Sequence, residues 1–178
     1  MPTVRYKSGG GASFPARQSI QDIEALKLVC SELSPVVIVE LGTDRCGSTS
    51  VLRDAAPESE IFSFDMKAPR LTEEQVASLG SNTHIVDADV LKSKDVVCRS
   101  FQAVDGVVLL FCDNGNKPLE VELYAPTLRT GDVIGVHDWE TEVCGDDVDH
   151  ILCEPDWVPY LSGHTEKPGC ACRFWVRA

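Results

Sequence analysis

"VVIVELGTDRCGSTSVL", residues 36–52, runs from an unbroken apolar stretch into a single glycine and then into small and polar residues able to open a helix. An apolar run of strand length without period-two alternation suits a strand covered by helices on both faces. In a doubly wound sheet built of such strands, ligands sit beyond the carboxyl ends, near the point where strand order reverses. The turn after this strand is therefore the first place to look for a site. The window that would match a dinucleotide fingerprint, G-x-G-x-x-G, is Gly42-Thr43-Asp44-Arg45-Cys46-Gly47. Its second glycine, which lets the backbone approach a pyrophosphate, is Asp44 here, and a carboxylate in that place repels a diphosphate.

Outward from this stretch the pattern repeats. "SIQDIEALKLVCSEL" has loosely helical apolar spacing and stops at Pro35, which predicts a helix ahead of the first strand. "VVIVELG", "IFSFDM", "THIVDADV", "GVVLLFCD" and "DVIGVHDW" alternate with helix-length segments, five units that predict an α/β domain with a mostly parallel sheet. "WVPYL" and "CRFWVRA" predict an antiparallel hairpin at the end, with Pro159 placing its first strand at a sheet edge. Residues 1–16 are rich in Gly and Ser and lack periodicity, so they are expected to form a flexible arm, leaving 17–178 as one domain.

Composition narrows the function. With 178 residues, a hydrophobic share of 43% and no apolar stretch of spanning length, the chain reads as one globular domain without a membrane partner. A net charge of −12 and the lack of Lys/Arg clusters argue against nucleic acid. The N-terminus has no apolar core of signal-peptide length, which predicts a cytoplasmic protein whose 8 cysteines are free thiols.

A tight turn with small side chains and an acid, and without room for a diphosphate, suits S-adenosylmethionine, an adenine nucleoside joined to an amino acid through a sulfonium cation. Asp65, ending the second strand, is placed to accept hydrogen bonds from ribose hydroxyls, and Asp89 in "VDADV" to reach the adenine edge. Either acid alone reads as readily as a helix cap.

"VVIVELGTDRCGSTS", "FSFDM" and "FCDNGNKPLEVELYAPTLRTGDVIGVHDW" resemble class I S-adenosylmethionine-dependent methyltransferases, in particular the small O-methyltransferase group related to cephalosporin hydroxylase, over about residues 18–140. Glu40, Gly42, Gly47 and Ser48 match that group's first motif, E-x-G-x-x-x-G-G-S, while Cys46 replaces the first of its paired glycines. The resemblance implies a Rossmann-like, doubly wound sheet of seven strands in the order 3-2-1-4-5-7-6. The cofactor contacts expected are Glu40, Gly42, Thr43, Gly47, Ser48, Asp65, Met66, Asp89, Val90 and Asp113.

The fourth strand ends in "FCDNGN" and the fifth in "GVHDW". Neighbouring strand ends lie about 5 Å apart, which brings Asp113, His137 and Asp138 within reach of one divalent ion. The resemblance points the same way, since its relatives place acidic or amide metal ligands at these positions. Histidine moves the preference from Mg²⁺ toward Mn²⁺ or another transition ion. Such an ion would bind a substrate hydroxyl, lower its pKa and aim the oxygen at the sulfonium methyl. Alternatively, Asp113 only lines the pocket and His137-Asp138 caps a helix. Candidate bases are Lys117, four residues after Asp113, and His137. The acidic stretch 138–156 reads as a solvated face, Trp139 and Trp157 as core, and Cys144, Cys153, Cys170 and Cys172 as an unspaced set that could hold zinc.

The expected function is methyl transfer to an oxygen of a small hydroxylated molecule, with a homodimer as the assembly to look for. Competing readings are a non-catalytic S-adenosylmethionine-binding or assembly protein, an NAD-dependent oxidoreductase, which Asp44 opposes, and a hydroxylase, for which no complete iron triad is present.

Overall fold

The structure, a computed structural model, describes residues 3–178. Where an arm was expected, the chain opens with an antiparallel hairpin of β1 (Val4–Lys7) and β2 (Ser13–Ala16). Phe14 and Ala16 are fully buried and Ala12 nearly so. The hairpin's apolar side chains come two residues apart on a short β2, a signal too brief to separate from loop composition. Helix α1 (Ile20–Leu33) follows, closed at its start by a reciprocal capping box in which Ser19 accepts from the Asp22 amide and Asp22 accepts from the Ser19 amide.

The main sheet is then laid down as β3 (Val37–Leu41), β4 (Glu60–Asp65), β5 (Thr83–Asp87), β6 (Val108–Cys112), β7 (Val133–Val136), β8 (Trp157–Tyr160) and β9 (Arg173–Arg177). Its spatial order is β5-β4-β3-β6-β7-β9-β8. Counted within the sheet, that is the expected 3-2-1-4-5-7-6. The first five strands are parallel and β9 runs antiparallel to both β7 and β8. Pro159 lies in β8, the edge strand, where its missing N–H leaves no ladder bond broken.

The crossovers are α2 (Gly47–Ala55), α3 (Glu73–Leu79), α4 (Lys94–Arg99), α5 (Lys117–Tyr124) and α6 (Gly145–Leu152), with the single turn α7 (Ser162–Thr165) inside the final hairpin. All residues of β3, β6 and β7 are buried, as the lack of alternation in their sequences implied. One core joins the sheet to α4, α5 and α6 through Val97, Val121 and Val148, and the other joins it to α1 and α2 through Leu26 and Val51. No helix among the described residues is long and apolar enough to cross a membrane.

The hairpin seats on the turn that follows β3. Cys46 sits in the left-handed region (φ 60°) and is buried with Ala12, Phe14 and Leu79. Gly47 lies so close to β2 that a Cβ there would come within 2.6 Å of Ala16 Cα and of the Pro15 carbonyl oxygen. This glycine is therefore demanded by the chain's own backbone. Gly47→Ala is expected to destabilise the protein by about 1–3 kcal/mol, the usual cost of forcing an extra carbon into a filled contact, read as a lowered urea midpoint.

Candidate functional site

The loops after β3, β6 and β7 meet the segment between β2 and α1 around a cavity of about 250 Å³. Gln18, Thr43, Asp44, Ser48, Asp113 and Lys117 are among its walls, with His137, Asp138 and Glu142. Gly42 makes this convergence possible. Its φ is +102°, and a Cβ would lie 2.7 Å from the Asn114 nitrogen. A second space of about 490 Å³ shares Pro15 and Asp44 with it and is bordered by Arg45, Lys67 and Arg70. The crevice is thus acidic at one end and basic at the other. Arg17 and Asp44 form an exposed ion pair at 3.4 Å between the two spaces.

Asp65 stands where the sequence placed it, against the bend. Its Oδ2 accepts from the amides of Thr43 (3.2 Å) and Asp44 (3.0 Å), and its Oδ1 accepts from the Lys67 amide at 3.2 Å. Met66, the next residue, is 72% exposed and free to cover a ligand. Asp89 is different. β5 ends at Asp87, whose carboxylate accepts from the Ala68 amide, while Asp89 closes the following turn by accepting from the Leu91 amide (3.1 Å) and from Lys92 Nζ (2.7 Å). Val90 is buried in the core, its carbonyl accepting from the Tyr124 hydroxyl. Asp89 thus closes the turn between β5 and α4, whose N-cap is Ser93, because the strand stops two residues earlier than its apolar run suggests.

Glu40 is fully buried behind the turn. Its Oε2 accepts from the hydroxyls of Thr49 (2.5 Å) and Ser63, and its Oε1 has no partner among the described residues. Burial pushes its pKa up to about 7 against the pull of those hydroxyls.

The expected convergence of Asp113, His137 and Asp138 is present, with one potential ligand atom from each lying within 4.8 Å of the others. His137 Nδ1 is 2.8 Å from Asp113 Oδ1 and 3.4 Å from Asp138 Oδ2. On the other side of the ring, Nε2 is 3.4 Å from Asp22 Oδ2. Burial alone would lower the imidazole pKa, but Asp113 first, then Asp138 and Asp22, drive it up to about 12. Lys117 is 2% exposed, and its Nζ bonds the Asn114 carbonyl (2.8 Å) and Glu142 Oε2 (2.7 Å), with Asp138 Oδ2 at 3.0 Å. Burial would lower its pKa too, but Glu142 and Asp138 raise it. Both candidate bases are thus charged donors with their protons already engaged, because the carboxylates that mark the site also clamp them.

One wall residue, Gln18, and one residue behind the wall, Asp22, carried no signal of a site in the sequence. Gln18 is 3% exposed and donates Nε2–H to Asp113 Oδ2 at 2.8 Å, leaving Oε1 buried without a partner. Asp22 reads as an ordinary helix cap, yet it is fully buried, and its Oδ1 accepts from the Ala171 amide at 2.6 Å. Trp139 packs on Trp175 and Trp157 lies in the same core, as expected. Cys144 and Cys153 are exposed at the two ends of α6, whereas Cys170 and Cys172 are buried beside Asp22, so the four do not form one ligand set.

No family model matches the chain, and no curated protein matches it in sequence. Solved structures do match. The apo-structure of CmcI aligns over 97% of this chain and 76% of its own with a TM-score of 0.69 at 14% identity. A methyltransferase from Geobacter sulfurreducens aligns over 90% and 80% with a TM-score of 0.65 at 15% identity. The methyltransferase PaMTH1 of Podospora anserina, solved with SAH, aligns over 88% and 77% with a TM-score of 0.57 at 12% identity. At these identities the likeness establishes the fold, which is that of the class I methyltransferases.

Two outcomes test this site's electrostatics. Glu40's folded pKa of about 7 lies above its ordinary 4.5, so its contribution is fully present below pH 4.5 and is lost as pH rises through about 7. Glu40→Gln should therefore gain stability relative to wild type between about pH 5 and about pH 8, seen in paired urea melts. Lys117→Met leaves Glu142 without its cation and Asp138 with His137 alone, at 3.4 Å; since Glu142 is 55% exposed, the expected loss is about 2 kcal/mol, below the roughly 3–5 of a fully buried pair.

Proposed function

We propose that the chain is an S-adenosylmethionine-dependent methyltransferase that moves a methyl group to an oxygen of a small hydroxylated molecule. The observation that carries this reading is a buried acceptor without a donor in the cavity wall, Gln18 Oε1, close to a bend where Asp65 presents a carboxylate. A ligand with an ammonium group and ribose hydroxyls satisfies such acceptors, and a diphosphate does not. Fold alone does not decide activity, so the proposal stands on this donor-acceptor balance, with the methyltransferase likeness as support. When bound, the cofactor supplies an electrophilic methyl on a sulfonium.

The chain's own residues do the rest. Thr43, Ser48 and the turn around Gly42 and Gly47 would hold the amino-acid half, and Asp65 and Met66 the nucleoside half. Asp113 lies between the two halves, fixed by Gln18 and His137. Asp138 and Glu142 line the cavity with Lys117 between them, and would accept the hydrogen bond of an incoming hydroxyl and so orient its oxygen. Such a site works chiefly by holding oxygen and methyl in line.

A divalent ion shared by Asp113, His137 and Asp138 fits the spacing of these groups, since one ligand atom from each lies within 4.8 Å of the others. Adjacent ligands of an octahedral ion at about 2.0–2.1 Å stand about 2.8–3.0 Å apart, and Nδ1 and Oδ1 are 2.8 Å apart; the ion would take the place of the proton between them and of the Lys117 ammonium that lies 3.0 Å from Asp138. CmcI has been crystallised in an Mg-SAM form.

Calorimetry with S-adenosylhomocysteine and NAD separates the readings. Binding of the first and not the second is expected, with Asp65→Ala and Gln18→Leu each weakening it about tenfold or more, roughly 1.4 kcal/mol. Binding of NAD alone would make the chain a nicotinamide protein. Tight S-adenosylhomocysteine binding without turnover on any hydroxylated acceptor would make it a binding or assembly protein.

A further inference from the structure

On the far side of His137 from the reaction cavity lies a second cluster that methyl transfer does not use. Asp22, His137 and Cys172 each offer an atom within 4.8 Å of the others, and all three are buried. Cys170 stands beside the group and outside that 4.8 Å set: its thiol adjoins the Cys172 thiol and the Asp22 carboxylate, faces the Cys172 carbonyl at 3.8 Å, and the residue is 8% exposed. We propose that Asp22, His137 Nε2 and Cys172 bind one Zn²⁺ ion, with the Cys170 thiol turning in as the fourth corner of a closed tetrahedral site.

Three observations carry this. The first is spacing. His137 Nε2 and Asp22 Oδ2 are 3.4 Å apart, long for a hydrogen bond, but the edge of a tetrahedron whose corners stand about 2.0–2.1 Å from zinc is about 3.4 Å. The opposite nitrogen shows the reverse, with Nδ1 at 2.8 Å from Asp113, a hydrogen-bond length. The second is the outer shell. An imidazole that ligates through one nitrogen donates its other N–H to a carboxylate, which orients the ring; Asp113 stands there. The third is ligand chemistry. Two thiols with an imidazole and a carboxylate are a borderline-soft set that selects zinc over magnesium or calcium. The Ala171 amide, between the two cysteines, donates to Asp22 Oδ1 at 2.6 Å and so holds the C-x-C pair against the carboxylate.

With four protein ligands and no open position, the ion would be structural. It would tie the start of α1, the end of β7 and the entry to β9 together, at the ring that fixes Asp113. Loading balances in protons: zinc replaces the Nε2 proton and the two thiol protons, three in all, while Nδ1–H stays on Asp113. The site is independent of the methyl-transfer reading, since it needs no cofactor.

The test uses the full chain, reduced and stripped of metal, titrated with Co²⁺ as a spectroscopic stand-in. Expected are the intense visible bands of a tetrahedral ion and a near-ultraviolet thiolate-to-cobalt band, both saturating at one ion per chain and both abolished by Zn²⁺. Cys172→Ser should weaken binding by at least about a hundredfold, while the Cys144→Ser, Cys153→Ser double variant binds as wild type does. Should Cys172→Ser fail to fold, X-ray absorption on the zinc-loaded wild type decides instead, with two sulfur neighbours at about 2.3 Å and two lighter ones at about 2.0–2.1 Å expected. A weak octahedral cobalt spectrum without the thiolate band, or binding lost in Asp138→Asn but kept in Cys172→Ser, would overturn the proposal and move the ion to the cavity side. A chain that binds no ion while its reduced thiols react freely would overturn it as well.

Discussion

The imidazole of His137 is held from both edges, by Asp113 at Nδ1 and by Asp22 at Nε2, while its backbone amide donates to the Cys112 carbonyl at 3.0 Å. Through it the ends of β6 and β7, the first turn of α1 and the segment leading into β9 share one buried knot. A charge so deep is tolerated only when paired on every side. The pairing determines what the site can do, because a ring committed at both nitrogens positions its neighbours and does not shuttle protons. Asp113, steadied by His137 on one oxygen and by Gln18 on the other, inherits a fixed place in the cavity wall.

The same economy governs the turn after β3. Asp44 and Cys46 both take left-handed backbone conformations that favour glycine, so the loop keeps the shape of a glycine-rich turn with side chains added. The hairpin explains one of those side chains. Cys46 fills a small core with Phe14 and Leu79, and β2 presses on Gly47 where a ligand's approach would otherwise explain the glycine. Asp65 occupies the amides of Thr43 and Asp44, which keeps the bend ordered without a guest.

The cavity that results is small and polar, with carboxylates and one ammonium in its wall. Its chemistry favours a compact, hydrogen-bonding guest. The basic rim of Arg45, Lys67 and Arg70 lies in the adjoining space, on the far side of the Arg17–Asp44 pair, so the two ends of the crevice select for opposite charge.

Local pattern determined the strands, their parallel sense and the edge position of Pro159, and, with the strand order that the resemblance implied, the meeting of Asp113, His137 and Asp138. Each follows from apolar run length, from a missing N–H or from where a strand must end, and these are properties of neighbours in the chain. Tertiary structure decided the rest. Asp22 reads as a helix cap and becomes the partner of a histidine 115 residues away. Gln18 and the hairpin carry no periodicity, yet they close the cavity. Asp89 closes the turn after β5, which stops at Asp87 and not at the end of its apolar run. Lys117 and His137 look like free bases until burial surrounds them with carboxylates from other elements. Sequence spacing reports which groups can stand together; whether a proton, an ion or a neighbouring charge lies between them depends on distances of a few tenths of an ångström, which only the packed chain sets.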